Sequence, residues 1–258
     1  MTTLLSKSGA TVSYRKSGSG PPLVLIHGSF SDHLTNWEFV LPMLDRHFTN
    51  VAVALRGRGK TDATMGHTID DEALDTVSII ESLGEPVFLL GHSYGAQVAL
   101  RAANSIPGQV RRLILYEPPK PNALDRHLPE LERLAALEDW DQFSWTFFQR
   151  ALSVPVEELQ NLKTAGLWQP IVNLAKASLG DLRAVLRSTF QPDRFQNLPV
   201  PTLLQVGSES PHHLFVTEAL AETLPNATIE TMEGQAHEAM TTAPERYAAS
   251  VIRFLATA

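Results

Sequence analysis

The chain has 258 residues, enough to bury a sizeable core in one large domain or two small ones. Its 43% hydrophobic and 19% charged residues exclude a disordered chain or a fibre. A formal net charge of −7 argues against a nucleic-acid partner, and the lack of cysteine removes any disulfide framework, thiolate metal site or cysteine nucleophile.

Residues 1–8 contain no charged stretch followed by an apolar run. No apolar segment approaches the roughly 18 residues a membrane span requires, so a soluble cytoplasmic protein with no membrane partner is expected. Short apolar runs then alternate with longer stretches of helical spacing, the pattern of a mostly parallel sheet covered by helices. Thr11–Lys16 reads as an early strand, Leu23–His27 as a buried strand after Pro21-Pro22, and Asn50–Leu55 as another. Leu74, Val77, Ile80 and Leu83 form the stripe of a helix over 70–83. Two more strand runs, Pro86–His92 and Arg111–Glu117, flank an alanine-rich helix over 94–106. The last strands are Thr202–Gly207 and Ala227–Glu233, and Thr242-Ala-Pro-Glu245 has the form of a capping box opening a terminal helix.

Residues 118–198 break the rhythm. The stretch is helical in pattern and too long for a structureless loop, so it reads as a helical cap inserted between a core made of 1–117 and 199–258. Trp140, Phe143, Trp145, Phe147 and Phe148 in it suggest an apolar pocket, although a helical insert needs a core of its own and most such aromatics serve packing.

Chemistry concentrates at Gly91-His-Ser93-Tyr-Gly95, which fits G-x-S-x-G between a strand and a helix. A sharp strand-to-helix turn holds its serine in strained geometry with the oxygen exposed, and only small neighbours let the chain pass. The base should lie on a late loop, because the order on this architecture is serine, acid, histidine. His237, between the last strand and the last helix, fits that place. An oxyanion hole needs two backbone N–H groups aimed at one point. Tyr94, after the nucleophile, supplies one, and Ser29, in His27-Gly-Ser29-Phe30, is the candidate for the other.

Taken together, His27-Gly28, Arg56-Gly-Arg-Gly59 with Asp62, the turn at Ser93 and the late His237 resemble the α/β-hydrolase superfamily in their order along nearly the whole chain. The resemblance implies that Arg56 and Arg58 shape a loop beside the site and do not bind nucleic acid. Relatives often carry an aspartate before that Arg-Gly, where this chain has Ala54-Leu55, and only a local packing difference is expected. The family's usual acid would stand three residues after Gly207, but that position is Ser210, which cannot hold an imidazolium. Glu117, at the end of the strand after the nucleophile, is favoured over Glu209 as the acid. Leu115-Tyr-Glu117-Pro-Pro119 is similar to a subgroup with the acid moved to that earlier strand, as in fungal zearalenone lactonases and some haloalkane dehalogenases. The dehalogenases use an aspartate nucleophile, and Ser93 argues against their chemistry.

The expected activity is cleavage of a small-molecule carboxylic ester or lactone through an acyl-enzyme, with Ser93, His237 and Glu117 catalytic, Ser29 and Tyr94 holding the oxyanion, and no metal or organic cofactor. A C–C bond hydrolase, a perhydrolase and a non-catalytic receptor on the same fold remain the alternatives.

Overall fold

Every residue of the run Pro22–Ile26 is buried, as a strand covered on both faces requires. The architecture comes from a computed structural model, which describes residues 1–63 and 66–256. Eight strands form one sheet: β1 (Thr2–Leu5), β2 (Thr11–Gly18), β3 (Pro22–Ile26), β4 (Thr49–Ala54), β5 (Val87–His92), β6 (Val110–Tyr116), β7 (Thr202–Gly207) and β8 (Ala227–Met232). Their order is β1-β2-β4-β3-β5-β6-β7-β8. The β1–β2 and β2–β4 pairs are antiparallel and all others are parallel.

The helices are α1 (Leu41–Leu44), α2 (Ile69–Leu83), α3 (Tyr94–Ser105), α4 (Leu128–Ala136), α5 (Trp140–Thr146), α6 (Val156–Thr164), α7 (Trp168–Arg187), α8 (Thr217–Thr223), α9 (Ala239–Thr242) and α10 (Pro244–Ala256). The strand period of two sorts β3 between two cores. Val24 and Ile26 join Val77, Ile80, Ala96 and Ala99 on one side of the sheet. Leu23 and Leu25 join Trp37, Tyr247 and Val251 on the other. The predicted strands and the helices over 70–83 and 94–106 all form, with ends shifted by a residue or two.

Two local expectations change. The strand β1, with only one of its four residues even half-buried, carries no burial signal in its sequence and was not anticipated. The capping box also lies elsewhere. At α2 the Thr68 hydroxyl accepts from the Asp71 N–H while the Asp71 carboxylate accepts from the Thr68 N–H. Thr242 instead closes α9, its hydroxyl donating to Gln235 Oε1 at 2.6 Å and to the Glu238 carbonyl at 3.1 Å.

Between β6 and β7 lie α4 to α7, with a π-helical turn at Phe147–Ala151 continuing α5. They enclose a third core of Leu131, Leu134, Phe143, Phe147, Leu179 and Leu182. One residue of that core comes from outside the segment: Phe30, in the loop after β3.

Candidate active site

Parallel strands deliver their C-terminal ends to one edge of the sheet, and loops leaving that edge are where such sheets place their chemistry. The register pairs His92 of β5 with Tyr116 of β6, so Ser93 and Glu117 leave adjacent strand ends. Two hydrogen bonds extend the pairing, Ser93 N–H to the Tyr116 carbonyl at 2.8 Å and Glu117 N–H to the Gln205 carbonyl at 3.1 Å.

Ser93 has φ 52° and ψ −121°, a conformation costly for any residue with a Cβ. The turn is possible because its flanks are glycines. A Cβ on Gly91 would lie 2.4 Å from the Gly95 carbonyl oxygen, and one on Gly95 would lie 2.3 Å from that of Ile26. Ser93 sits at the head of α3, half-buried, with its neighbours on both sides buried.

Glu117 is fully buried and also has positive φ, 48°. Its Oε2 lies 2.5 Å from His237 Nδ1, and its Oε1 accepts from the Gly207 N–H at 2.7 Å. Both carboxylate oxygens therefore have a partner, one the predicted base and the other the strand end beside it. Burial alone would depress the His237 pKa. The hydrogen bond and charge of Glu117, aided by Glu238, outweigh it and hold the imidazole above its usual value. Glu209, the rival acid, is exposed and accepts from its neighbour Ser208 at 3.0 Å.

The imidazole is fixed from several directions. Phe215 stacks on the ring at 5.4 Å with an interplanar angle of 11°. The Tyr116 hydroxyl donates to the Ala236 carbonyl at 2.5 Å, and His92 Nε2 lies 3.0 Å from the His237 carbonyl oxygen. Ser29, Ser93, Tyr94 and His237 line one cavity of about 40 Å³, together with Lys120, Phe147, Phe148, Leu182, Val185, Phe215 and Glu238. Among the described residues no direct hydrogen bond joins Ser93 to His237, an arrangement that tightens in many enzymes only when substrate binds.

The backbone N–H groups of Ser29 and Tyr94 have no acceptor among the described residues, whereas those on either side of Ser29 do. Gly28 N–H donates to Asn36 Oδ1 at 2.9 Å, and Phe30 N–H donates to Ser178 Oγ at 2.7 Å. Unpaired backbone donors are uncommon, and two on residues that line one cavity suit an oxyanion.

An alpha/beta hydrolase family model matches residues 23–250. The chain belongs to the alpha/beta hydrolase family. Its relatives include 2-(acetamidomethylene)succinate hydrolase of Mesorhizobium japonicum, 26% identical over 95% of this chain and 91% of that protein. Human Epoxide hydrolase 4 is 30% identical over 48% of this chain, and the match spans only 36% of that relative's length. Among solved structures, an alpha/beta hydrolase from Sphaerobacter thermophilus superposes with a TM-score of 0.82 at 30% identity, covering 98% of this chain and all of the other. Among the described residues no helix is long and apolar enough to cross a membrane.

Arg56 and Arg58 of this hydrolase point into the protein. Both are buried, Arg56 Nε paired with Asp75 at 2.9 Å and Arg58 with Asp181 at 2.5 Å. Two trios of potential metal ligands come together among the described residues, His92, His237 and Glu238, and His67, Glu72 and Asp181. Their central donors have protein partners: Glu117 holds His237 Nδ1, and Arg58 takes both oxygens of Asp181. Those engagements suit hydrogen-bonded and ion-paired roles. Of the five aromatics singled out in the insert, Phe147 and Phe148 line the cavity, Phe143 is wholly buried in the third core, Trp140 packs edge-on to Phe143, and Trp145 packs edge-on to Trp168. Sequence reasoning passed over Asn36, Ser178, Asp181 and Phe215, which hold the site from behind and stand in no motif that would have announced them; His92 stands inside G-x-S-x-G, but the motif assigns that position no role.

Proposed function

We propose that the protein is a serine hydrolase cleaving a small carboxylic ester or lactone through an acyl-enzyme on Ser93. The observation that carries this reading is the 2.5 Å contact of buried Glu117 with His237 Nδ1, at a cavity shared with a serine in strained turn geometry. With Nδ1–H donated to Glu117, the ring presents a basic Nε2 to the hydroxyl. His237 takes the Ser93 proton as Oγ bonds to the substrate carbonyl carbon, and the carbonyl π electrons move onto its oxygen. The Ser29 and Tyr94 N–H groups stabilise that oxyanion. As it collapses, the bond to the leaving alkoxide breaks and His237 returns the proton to it. Water, deprotonated by the same ring, then attacks the acyl-enzyme and frees Ser93.

Cavity size and lining argue for a small, largely apolar acyl group. About 40 Å³ holds a few water-sized groups, and Phe147, Phe148, Leu182 and Val185 make up much of its wall. The name of the full-length Mesorhizobium relative supports hydrolysis of a small molecule.

The test is hydrolysis of p-nitrophenyl acetate and of a small lactone panel by the wild type and Ser93→Ala, with a fluorophosphonate label read by intact mass. The expected result is a loss of about 10⁴-fold or more in kcat for the variant and labelling of the wild type only. Retained hydrolysis by a folded Ser93→Ala overturns the proposal.

A further inference from the structure

Helix α7 does more than cover the cavity. Ser178, Asp181, Leu182 and Val185 stand at i, i+3, i+4 and i+7, so one face of the helix carries all four. Leu182 and Val185 line the cavity, while Ser178 and Asp181, with no exposed surface, meet the loop after β3. Asp181 Oδ2 accepts from the Ser29 hydroxyl at 2.9 Å. Ser178 Oγ accepts from the Phe30 N–H at 2.7 Å and donates to the Leu174 carbonyl at 2.9 Å.

Arg58 locks the anchor. Its Nη1 donates to Asp181 Oδ1 at 2.8 Å, and its Nη2 donates to Oδ2 at 2.5 Å and to Ser178 Oγ at 3.2 Å. A bidentate guanidinium fixes the plane of the carboxylate. The loop is gripped once more by the Phe30 ring, stacked on Phe147 at 4.5 Å and in contact with Phe143 and Phe148. Phe30 holds a positive φ of 58°, a bend that non-glycine residues adopt only where their surroundings impose it.

We infer that Asp181, held by Arg58, is a positioning residue for the oxyanion hole: through the Ser29 hydroxyl it aims the Ser29 N–H into the cavity and couples α7 to catalytic rate. This rests on the acyl-transfer reading above. The Ser29 side chain is the link, while its backbone is the oxyanion donor, so the two functions separate experimentally. Ser29→Ala cuts the link and keeps the N–H; Ser29→Thr keeps the hydroxyl.

The experiment measures kcat and KM on p-nitrophenyl acetate for Ser29→Ala, Ser29→Thr, Asp181→Asn, the Ser29→Ala/Asp181→Asn double variant and Ser93→Ala. Ser29→Ala is expected to lower kcat about 10- to 100-fold with KM within about twofold, since a misaimed donor is felt only as charge develops. Ser29→Thr restores kcat to within about threefold. The double variant is no slower than Asp181→Asn alone, because both act through one link. Affinity for a trifluoromethyl ketone, which forms a tetrahedral adduct on serine, falls in step with kcat/KM, whereas inhibition by acetate does not change.

Asp181→Asn leaves Arg58 buried without its counter-charge and risks misfolding, so the Ser29 pair carries the test by itself. Wild-type kcat in Ser29→Ala, while Ser93→Ala is inactive, overturns the inference and leaves the proposed function standing. So does a fall in kcat that the ketone affinity does not follow. Activity retained by Ser93→Ala overturns the proposed function instead.

Discussion

The proton on His237 Nδ1 is the smallest feature on which the proposed mechanism turns. Glu117 accepts it at 2.5 Å and has its other oxygen on the Gly207 N–H, so the carboxylate is fixed at both ends. Replacing it by glutamine puts an amide against the ring and favours the wrong tautomer. Glu117→Gln should cost about 10³- to 10⁴-fold in kcat, and the exposed Glu209→Gln should change it by less than about twofold. Steady-state kinetics on one ester separate the two. The pH profile supplies an independent check. The base works only when neutral, so kcat/KM falls toward acid through the His237 pKa, which lies above the ordinary value of about 6.5. With Glu117 neutralised the burial effect prevails, and the acid limb of any residual activity should move to lower pH. Stability runs with the opposite sign. A raised histidine pKa contributes stability in full below the unfolded value of about 6.5 and loses it as pH rises through the folded one. Urea melts across that window should show the wild type losing more stability toward alkali than Glu117→Gln does.

At the scale of elements, the junction of β5 and α3 depends on how closely that helix approaches β3. Backbone oxygens of Ile26 and His27 stand 2.3 and 2.4 Å from where a Gly95 Cβ would be, and backbone cannot yield without lifting α3 off the sheet. Gly95→Ala should therefore cost about 3 kcal/mol or more. Gly108, with nothing within 4 Å of its Cβ position and no positive φ, is the control. Gly108→Ala should be neutral or stabilise by up to about 1 kcal/mol, both read from chemical denaturation. This junction was legible in the sequence because G-x-S-x-G states a steric need that only glycine meets. Glu117 was legible in part: with Ser210 at the usual place the acid had to come from elsewhere, and a glutamate at the next strand end was favoured over Glu209. The partners of the loop after β3 were not. Ser29 and Asp181 are 152 residues apart, and a serine and an aspartate on a helix face look like any solvated pair until packing buries them. The strand β1 escaped for the opposite reason, since an exposed edge strand leaves no apolar alternation to read.

Over the whole molecule, the insert and the sheet share a boundary, and the cavity lies in it. The insert has its own core, so residues that line the cavity can be told from residues that only hold the insert together. Phe148 is half-buried and lines the cavity, whereas Phe143 has no exposed surface and does not. With a cavity of about 40 Å³, hydrolysis of p-nitrophenyl esters should favour acetate and fall steeply with acyl length. Phe148→Ala removes a wall and should shift the optimum toward butyrate or hexanoate, at modest cost in stability because the ring is already partly in water. Phe143→Ala opens a hole in the third core instead, expected to cost about 3–5 kcal/mol. Its contact with Phe30 should also slow the reaction, yet the ratio of rates between short and long esters should stay as in the wild type. The pair thus separates size selection by the cavity wall from support by the insert. Identical chain-length profiles in wild type and Phe148→Ala would mean that substrate does not occupy the space between Ser93 and that ring.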